Sequence, residues 1–196
     1  MKKITFSILF LMAVAVSNAQ AFKPFKVDVS AGYAIPGGEG AKGGVLFALE
    51  PKYAVIPNLS VGLRFEAAIM ARGFADNTGQ TSEVDVKAAG SYLATGDYYF
   101  TENKVRPFAG AGIGLFSLAS VSTDNSGASV GAGSKFGGMI RTGVELSHFR
   151  LGVEYNLVPS TNVVVFDGNS TYTSKAKNGY LGIKIGAVIG GGRIKK

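Results

Sequence analysis

Leu59-Ser60-Val61-Gly62-Leu63-Arg64-Phe65-Glu66-Ala67 carries an apolar residue at every odd position and Ser, Gly, Arg or Glu at every even one. Successive side chains of a β-strand point to opposite faces, so this segment has one apolar face and one small or charged face. The same pattern recurs along the chain and predicts eight strands, at about 25–35, 44–54, 59–71, 83–100, 105–120, 135–147, 150–158 and 178–189. In the last of these Leu181, Ile183, Ile185, Ala187 and Ile189 share one face, and Gly182, Lys184 and Gly186 share the other.

The connections between these stretches alternate in length. Those at Pro36 to Gly40, Ala75 to Gly79, Asp124 to Gly127 and Pro159 to Lys177 are expected to be long loops rich in turn formers. Those at Val55 to Asn58, Thr101 to Lys104 and Ser147 to Phe149 are tight. Short turns on one side and longer loops on the other describe an outer-membrane barrel, with both termini on the periplasmic side when the strand number is even. The expected fold is therefore all-β: one eight-stranded antiparallel up-and-down transmembrane β-barrel.

The start of the chain sets the compartment. Lys2 and Lys3 precede an apolar run from Ile4 to Val16, followed by small-residue sites at Ser17-Asn18-Ala19 and Ala19-Gln20-Ala21. This reads as a secretory signal peptide, residues 1–21, cleaved after 19 or 21, with the barrel domain spanning 22–196. The run is shorter than the roughly 20 residues that a membrane helix needs, and no later run is long enough. Cysteine is absent, which leaves no disulfide framework and no thiol for a lipid anchor. The chain has 20 Lys and Arg against 13 Asp and Glu, and two of those lysines leave with the leader. That mild surplus, with aromatics scattered rather than aligned beside a basic stripe, argues against nucleic-acid binding.

A soluble ligand-binding barrel would alternate too, with its apolar side inward. The polar face decides against it. Gly62, Gly110, Gly112, Gly114, Gly152, Gly182 and Gly186 all fall there, and glycine is unfavourable on an exposed strand. Inside a narrow barrel small residues make room for a few long charged ones. Only 17% of the chain is charged, low for a barrel wetted over its whole outer surface. The charges on that face are then a lumen network with a structural role: Glu50, Lys52, Arg64, Glu66, Asp85, Lys87, Arg141, Glu145, Glu154 and Lys184, joined by Lys26, Asp28 and Asp97. Bases and acids nearly cancel, as a poorly solvated interior demands. Tyr53, Tyr98, Phe100 and Phe149 lie near the tight turns and suit an interfacial aromatic girdle, with Tyr33 and Phe74 at the other edge.

Two stretches carry a resemblance. Val105-Arg106-Pro107-Phe108-Ala109-Gly110-Ala111-Gly112-Ile113-Gly114 and the closing Gly179-Tyr180-Leu181-Gly182-Ile183-Lys184-Ile185-Gly186 resemble the small eight-stranded outer-membrane barrels of the OmpA, OmpX and opacity-protein superfamily. The resemblance implies a porin-family cell-envelope protein of the bacterial outer membrane. It also implies contact with outer-membrane lipids and lipopolysaccharide, assembly by the barrel assembly machinery, and recognition of an external ligand or host surface through the loops. No peptidoglycan-binding domain is expected after the barrel. The ending Arg193-Ile194-Lys195-Lys196 departs from the superfamily's terminal aromatic, so the usual assembly signal is expected to be either missing or displaced inward to Ile185 to Ile189.

The expected function is a structural or surface-interaction role through four extracellular loops, with the lumen plugged. The alternative is a narrow channel for small or amphipathic solutes. Lys175 and Lys177 are the one basic cluster near the outer membrane edge and are assigned a lipopolysaccharide contact. Catalysis is not expected. His148 is the sole histidine, its neighbour Ser147 points the other way on an extended chain, and both sit in a tight turn. One histidine and no cysteine leave no metal site, and the glycine groups lack a phosphate loop's lysine, so no cofactor is expected.

Overall fold

In a computed structural model the chain forms a closed barrel of eight antiparallel strands and a separate two-stranded hairpin. The structure describes residues 23–37, 41–75, 81–124, 127–167 and 170–191, with the backbone alone described at 41–42, 71–75, 81–87, 120–124, 127–132, 162–167 and 170–176. The strands are β1 (Phe25–Pro36), β2 (Ala41–Ile56), β3 (Leu59–Ala75), β4 (Thr81–Tyr99), β5 (Val105–Asp124), β6 (Gly127–Leu146), β7 (Phe149–Leu157), β8 (Thr161–Asp167), β9 (Ser170–Ala176) and β10 (Tyr180–Gly190). Each barrel strand pairs with its predecessor, except that β10 follows β7 round the ring. β1 closes it against β10, from Lys26 opposite Gly190 to Pro36 opposite Tyr180. The expected signal peptide, 1–21, lies outside the described residues.

The period of two now has a physical meaning. Along β3, Val61, Leu63, Phe65, Ala67 and Ile69 face out, and Ser60, Arg64, Glu66 and Ala68 are buried inside. Phe136 on the outer wall is 64% exposed, whereas Arg64 is 0% exposed. That is the inverse of a water-soluble protein. Tyr98, Phe100 and Phe149 form part of the outer surface at the short-turn end, with Tyr98 and Phe100 edge to face at 5.5 Å. Phe74, assigned to the other edge, has its side chain outside the described residues.

Two expectations about the connections are corrected. The tight turns are tight: Pro57-Asn58 joins β2 to β3, and Ser147-His148 joins β6 to β7, where Leu146 pairs with Phe149. At the opposite end, however, the ladders run on where long loops were expected. β5 and β6 each have 20 residues and pair as far as Asp124 opposite Gly127, while β7 has 9 and β10 has 11. Beyond the apolar belt no face has to be apolar, so Gly127-Ala128-Ser129-Val130-Gly131 loses the alternation, yet its backbone still satisfies its hydrogen bonds in the ladder. The segment from Pro159 to Lys177 likewise contains the β8–β9 hairpin, built from β-branched residues such as Val163, Val164, Val165, Thr171 and Thr173.

Candidate functional site: the barrel lumen

The inward faces of all eight barrel strands meet in a lumen narrow enough for side chains from opposite walls to touch. The charges segregate into two clusters. Nearer the short turns, Lys52 Nζ lies 2.9 Å from Asp97 Oδ2, 3.2 Å from Asp28 Oδ2 and 3.4 Å from Glu50 Oε2. Arg141 forks onto Glu50 and places Nε 2.7 Å from Asp97 Oδ1. Arg150 reaches Asp28 and Asp97 as well, at 3.1 and 2.9 Å. Each carboxylate is therefore held by charge-assisted bonds, the strong class of hydrogen bond.

Tyr99 closes the bottom of this cluster. Its hydroxyl donates to Glu145 Oε2 at 2.8 Å and accepts from Lys26 Nζ at 2.7 Å and Arg150 Nη1 at 3.0 Å. Two cations approach its ring, Lys26 Nζ at 4.3 Å and the Arg106 guanidinium at 4.1 Å from the centroid. The second cluster is electrically balanced: Arg64 and Lys184 face Glu66 and Glu154. Arg64 Nη2 stands 2.9 Å from Glu66 Oε1 and Nη1 2.9 Å from Glu154 Oε2, while Lys184 Nζ reaches both carboxylates. Ser91, Asn156 and Tyr180 supply the remaining polar contacts.

Past the second cluster the lumen turns apolar. Leu46, Leu93, Phe116 and Met139 are all buried there with Ala34, Ala68, Met70 and Ala89, next to Tyr180. Glycine makes the packing possible. A Cβ at Gly110 would run into Asp97 Oδ1, the atom that accepts from Arg141.

Of the residues assigned to the lumen from sequence, Glu50, Lys52, Arg64, Glu66, Arg141, Glu145, Glu154 and Lys184 lie in these two clusters, with Lys26, Asp28 and Asp97. The side chains of Asp85, Lys87 and Lys175 lie outside the described residues. Lys177 is exposed just after β9. Sequence reasoning put Asn156 on the polar face with Gly152 and Glu154 but missed Arg150, Tyr99 and Tyr180. The signal was available for all three: Arg150 shares parity with Gly152 and Glu154, Tyr99 with Asp97, and Tyr180 with Gly182 and Lys184. It also missed the apolar layer. His148 is exposed in its turn, with Nδ1 3.0 Å from the Val188 carbonyl oxygen. Among the described residues no group of three His, Cys, Asp or Glu side chains is placed to hold a metal ion.

No protein-family model matches the sequence, and no curated protein sequence matches it. Solved structures do. Neisserial surface protein A (NspA) superposes with a TM-score of 0.56 at 19% identity, over 86% of this chain and 98% of that one. The outer membrane protein OprG from Pseudomonas aeruginosa gives a TM-score of 0.54 at 13% identity, over 87% of this chain and 99% of that one. At these identities the likeness establishes the fold: this chain is built as the small eight-stranded outer-membrane barrels are.

Proposed function

We propose that the protein spans the bacterial outer membrane as a barrel with a closed lumen and serves a structural or surface-interaction role, without catalysis. The apolar outer wall, with Phe47, Leu63, Ile113, Phe136, Ile140 and Ile185 all exposed, supports the membrane reading, since hydrocarbon is the solvent that favours such a wall. The short turns and both termini face the periplasm. The tall β3–β6 wall and the β8–β9 hairpin face outward and carry recognition, as extensions of a rigid scaffold commonly do.

The observation that carries the closed lumen is the bridging of opposite walls. The ring order puts β2 opposite β6 and β3 opposite β7, so Glu50–Arg141 and Arg64–Glu154 are struts across full diameters. The cavity lined by Asp28, Glu50, Arg141, Glu154 and Lys184 measures about 20 Å³, room for about one water. Above it the apolar layer at Leu46, Leu93, Phe116 and Met139 opposes the passage of ions.

Purified protein in planar bilayers should therefore give no steady conductance. Steady single-channel steps would overturn the closed lumen and favour the narrow channel for small or amphipathic solutes. Orientation is tested separately, with single cysteines labelled by an impermeant maleimide on intact cells. Gly79, Gly127 and Gly168 should react, and Asn58 and Asn103 should not; the reverse pattern inverts the barrel.

A further inference from the structure

The mouth at the short-turn end is a vestibule of about 480 Å³, and its charges do not cancel. In the cluster beneath it Lys26, Lys52, Arg106, Arg141 and Arg150 meet only Asp28, Glu50, Asp97 and Glu145. Glu145 alone is approached by Lys26 at 3.1 Å, Arg106 at 3.4 Å and Arg150 at 3.6 Å. Higher in the vestibule, Lys23 and Lys104 are exposed, so that with Lys26 and Arg106 the lining carries four bases against two acids, Glu102 and Glu145. Arg106, which lines the same mouth, is tethered: Nη2 donates to the Pro57 carbonyl oxygen at 2.6 Å, and its guanidinium lies 4.1 Å from the centroid of the Tyr99 ring. Gly191 also lines the mouth.

We propose that this vestibule binds a phosphate-type oxyanion, with the ammonium groups of Lys23 and Lys104 as direct partners and the immobile Arg106 as a fixed positive charge. A concave site whose low-dielectric walls carry one sign of charge concentrates counter-ions of the other. The volume exceeds that of a bare phosphate and lies in the range of small-molecule sites. Part of the lining is apolar, at Ala54, Pro57 and Val188, which suits the organic portion of a phosphate ester. That ester is either soluble or the headgroup of an anionic lipid. The site lies at the mouth, outside the lumen struts, so it stands or falls independently of the closed lumen.

The test is a titration of the isotope-labelled protein in uncharged maltoside micelles with inorganic pyrophosphate, followed by the amide resonances of Lys104, Arg106, Val188 and Gly191. These should shift saturably. Affinity should drop about ten-fold or more in Lys23→Gln/Lys104→Gln, and again when salt rises from about 0.05 to 0.5 M. Lys177→Gln, at the other end of the barrel, should leave it unchanged. A second arm transfers the protein from phosphatidylcholine to phosphatidylglycerol nanodiscs. The same amides shifting there without pyrophosphate assigns the site to a lipid headgroup; pyrophosphate binding alone assigns it to a soluble ester. No saturable shift in either arm, or equal affinity in the double variant, overturns the proposal.

Discussion

Arg141 and Glu50 meet fork to fork across the width of the barrel, Nη1 2.7 Å from Oε2 and Nη2 2.6 Å from Oε1. β2 and β6, which carry them, are four strands apart in either direction round the ring, so the pair fixes the diameter rather than one edge. Both side chains are buried. Removing one member of such a pair strands the other charge, at a cost of about 3 to 5 kcal/mol. Arg141→Met should lower the barrel's unfolding free energy by that order, measured by urea titration in lipid vesicles. Adding Glu50→Gln should recover part of the loss. Simple addition of the two single effects would mean that the strut is not a coupled unit.

Gly110 lies under that strut. A methyl group there would press on Asp97 Oδ1, which accepts from Arg141 Nε. Overpacking of this kind costs about 1 to 3 kcal/mol. Gly110→Ala should therefore destabilise the barrel, whereas Gly96→Ala, where a Cβ meets nothing within 4 Å, should be close to neutral. Equal effects at the two positions would refute the steric account.

Ser147 holds a backbone φ of 56° in the two-residue turn between Leu146 and Phe149. Primed hairpin turns need a positive φ at the first central residue, and glycine adopts it without steric cost. Ser147→Gly should leave stability unchanged or raise it by up to about 1 kcal/mol, and Ser147→Val should lower it by about 1 to 2 kcal/mol, since a branched Cβ is a steric outlier there. Denaturation midpoints of the three proteins check the order, and a valine variant as stable as the wild type would contradict it.

Ile185 faces outward and Lys184, beside it on β10, faces the lumen, where it reaches Glu66 and Glu154. A lipid-facing arginine near mid-bilayer costs about 2 to 4 kcal/mol. Ile185→Arg should lose stability on that scale, and Lys184→Arg, which keeps the lumen charge, should lose less. Equal losses would mean that the faces are reversed.

This pair marks how far the chain could be read without coordinates. Leu59 to Ala67 and Leu181 to Ile189 have one clean face each, and from them the strand number, the antiparallel closure and the inward charges follow. The apolar lumen layer did not follow, because Val45-Leu46-Phe47-Ala48-Leu49 is apolar on both faces and period-two reading averages Leu46 into the wall. Arg150 was hidden by its place one residue past a turn, although its parity puts it beside Glu154. The extension of β5 and β6 was illegible for a different reason. Past the belt neither face is selected for hydrophobicity, so only the backbone ladder, which leaves no mark in the sequence, says that Gly127 still pairs with Asp124.

Lys177 stands next to a pinned point at the outer end. Asn178 Nδ2 donates to the Pro159 carbonyl oxygen at 2.7 Å and lies 2.8 Å from Thr161 Oγ1, and Lys135 Nζ donates to the Ser160 carbonyl oxygen at 2.7 Å. The base of the β8–β9 hairpin is thus tied down, and the exposed Lys177 ammonium is presented from a fixed root. With Lys175 it is proposed to meet the phosphates of lipopolysaccharide, an attraction of about 1 kcal/mol per lysine that salt screens. Lys175→Gln and Lys177→Gln together should weaken lipopolysaccharide binding by about 25-fold at low salt, roughly five-fold per lysine. The heat-modifiable gel mobility of the folded barrel should not change. Binding that survives the double change, or that ignores salt, would return these lysines to ordinary solvated surface.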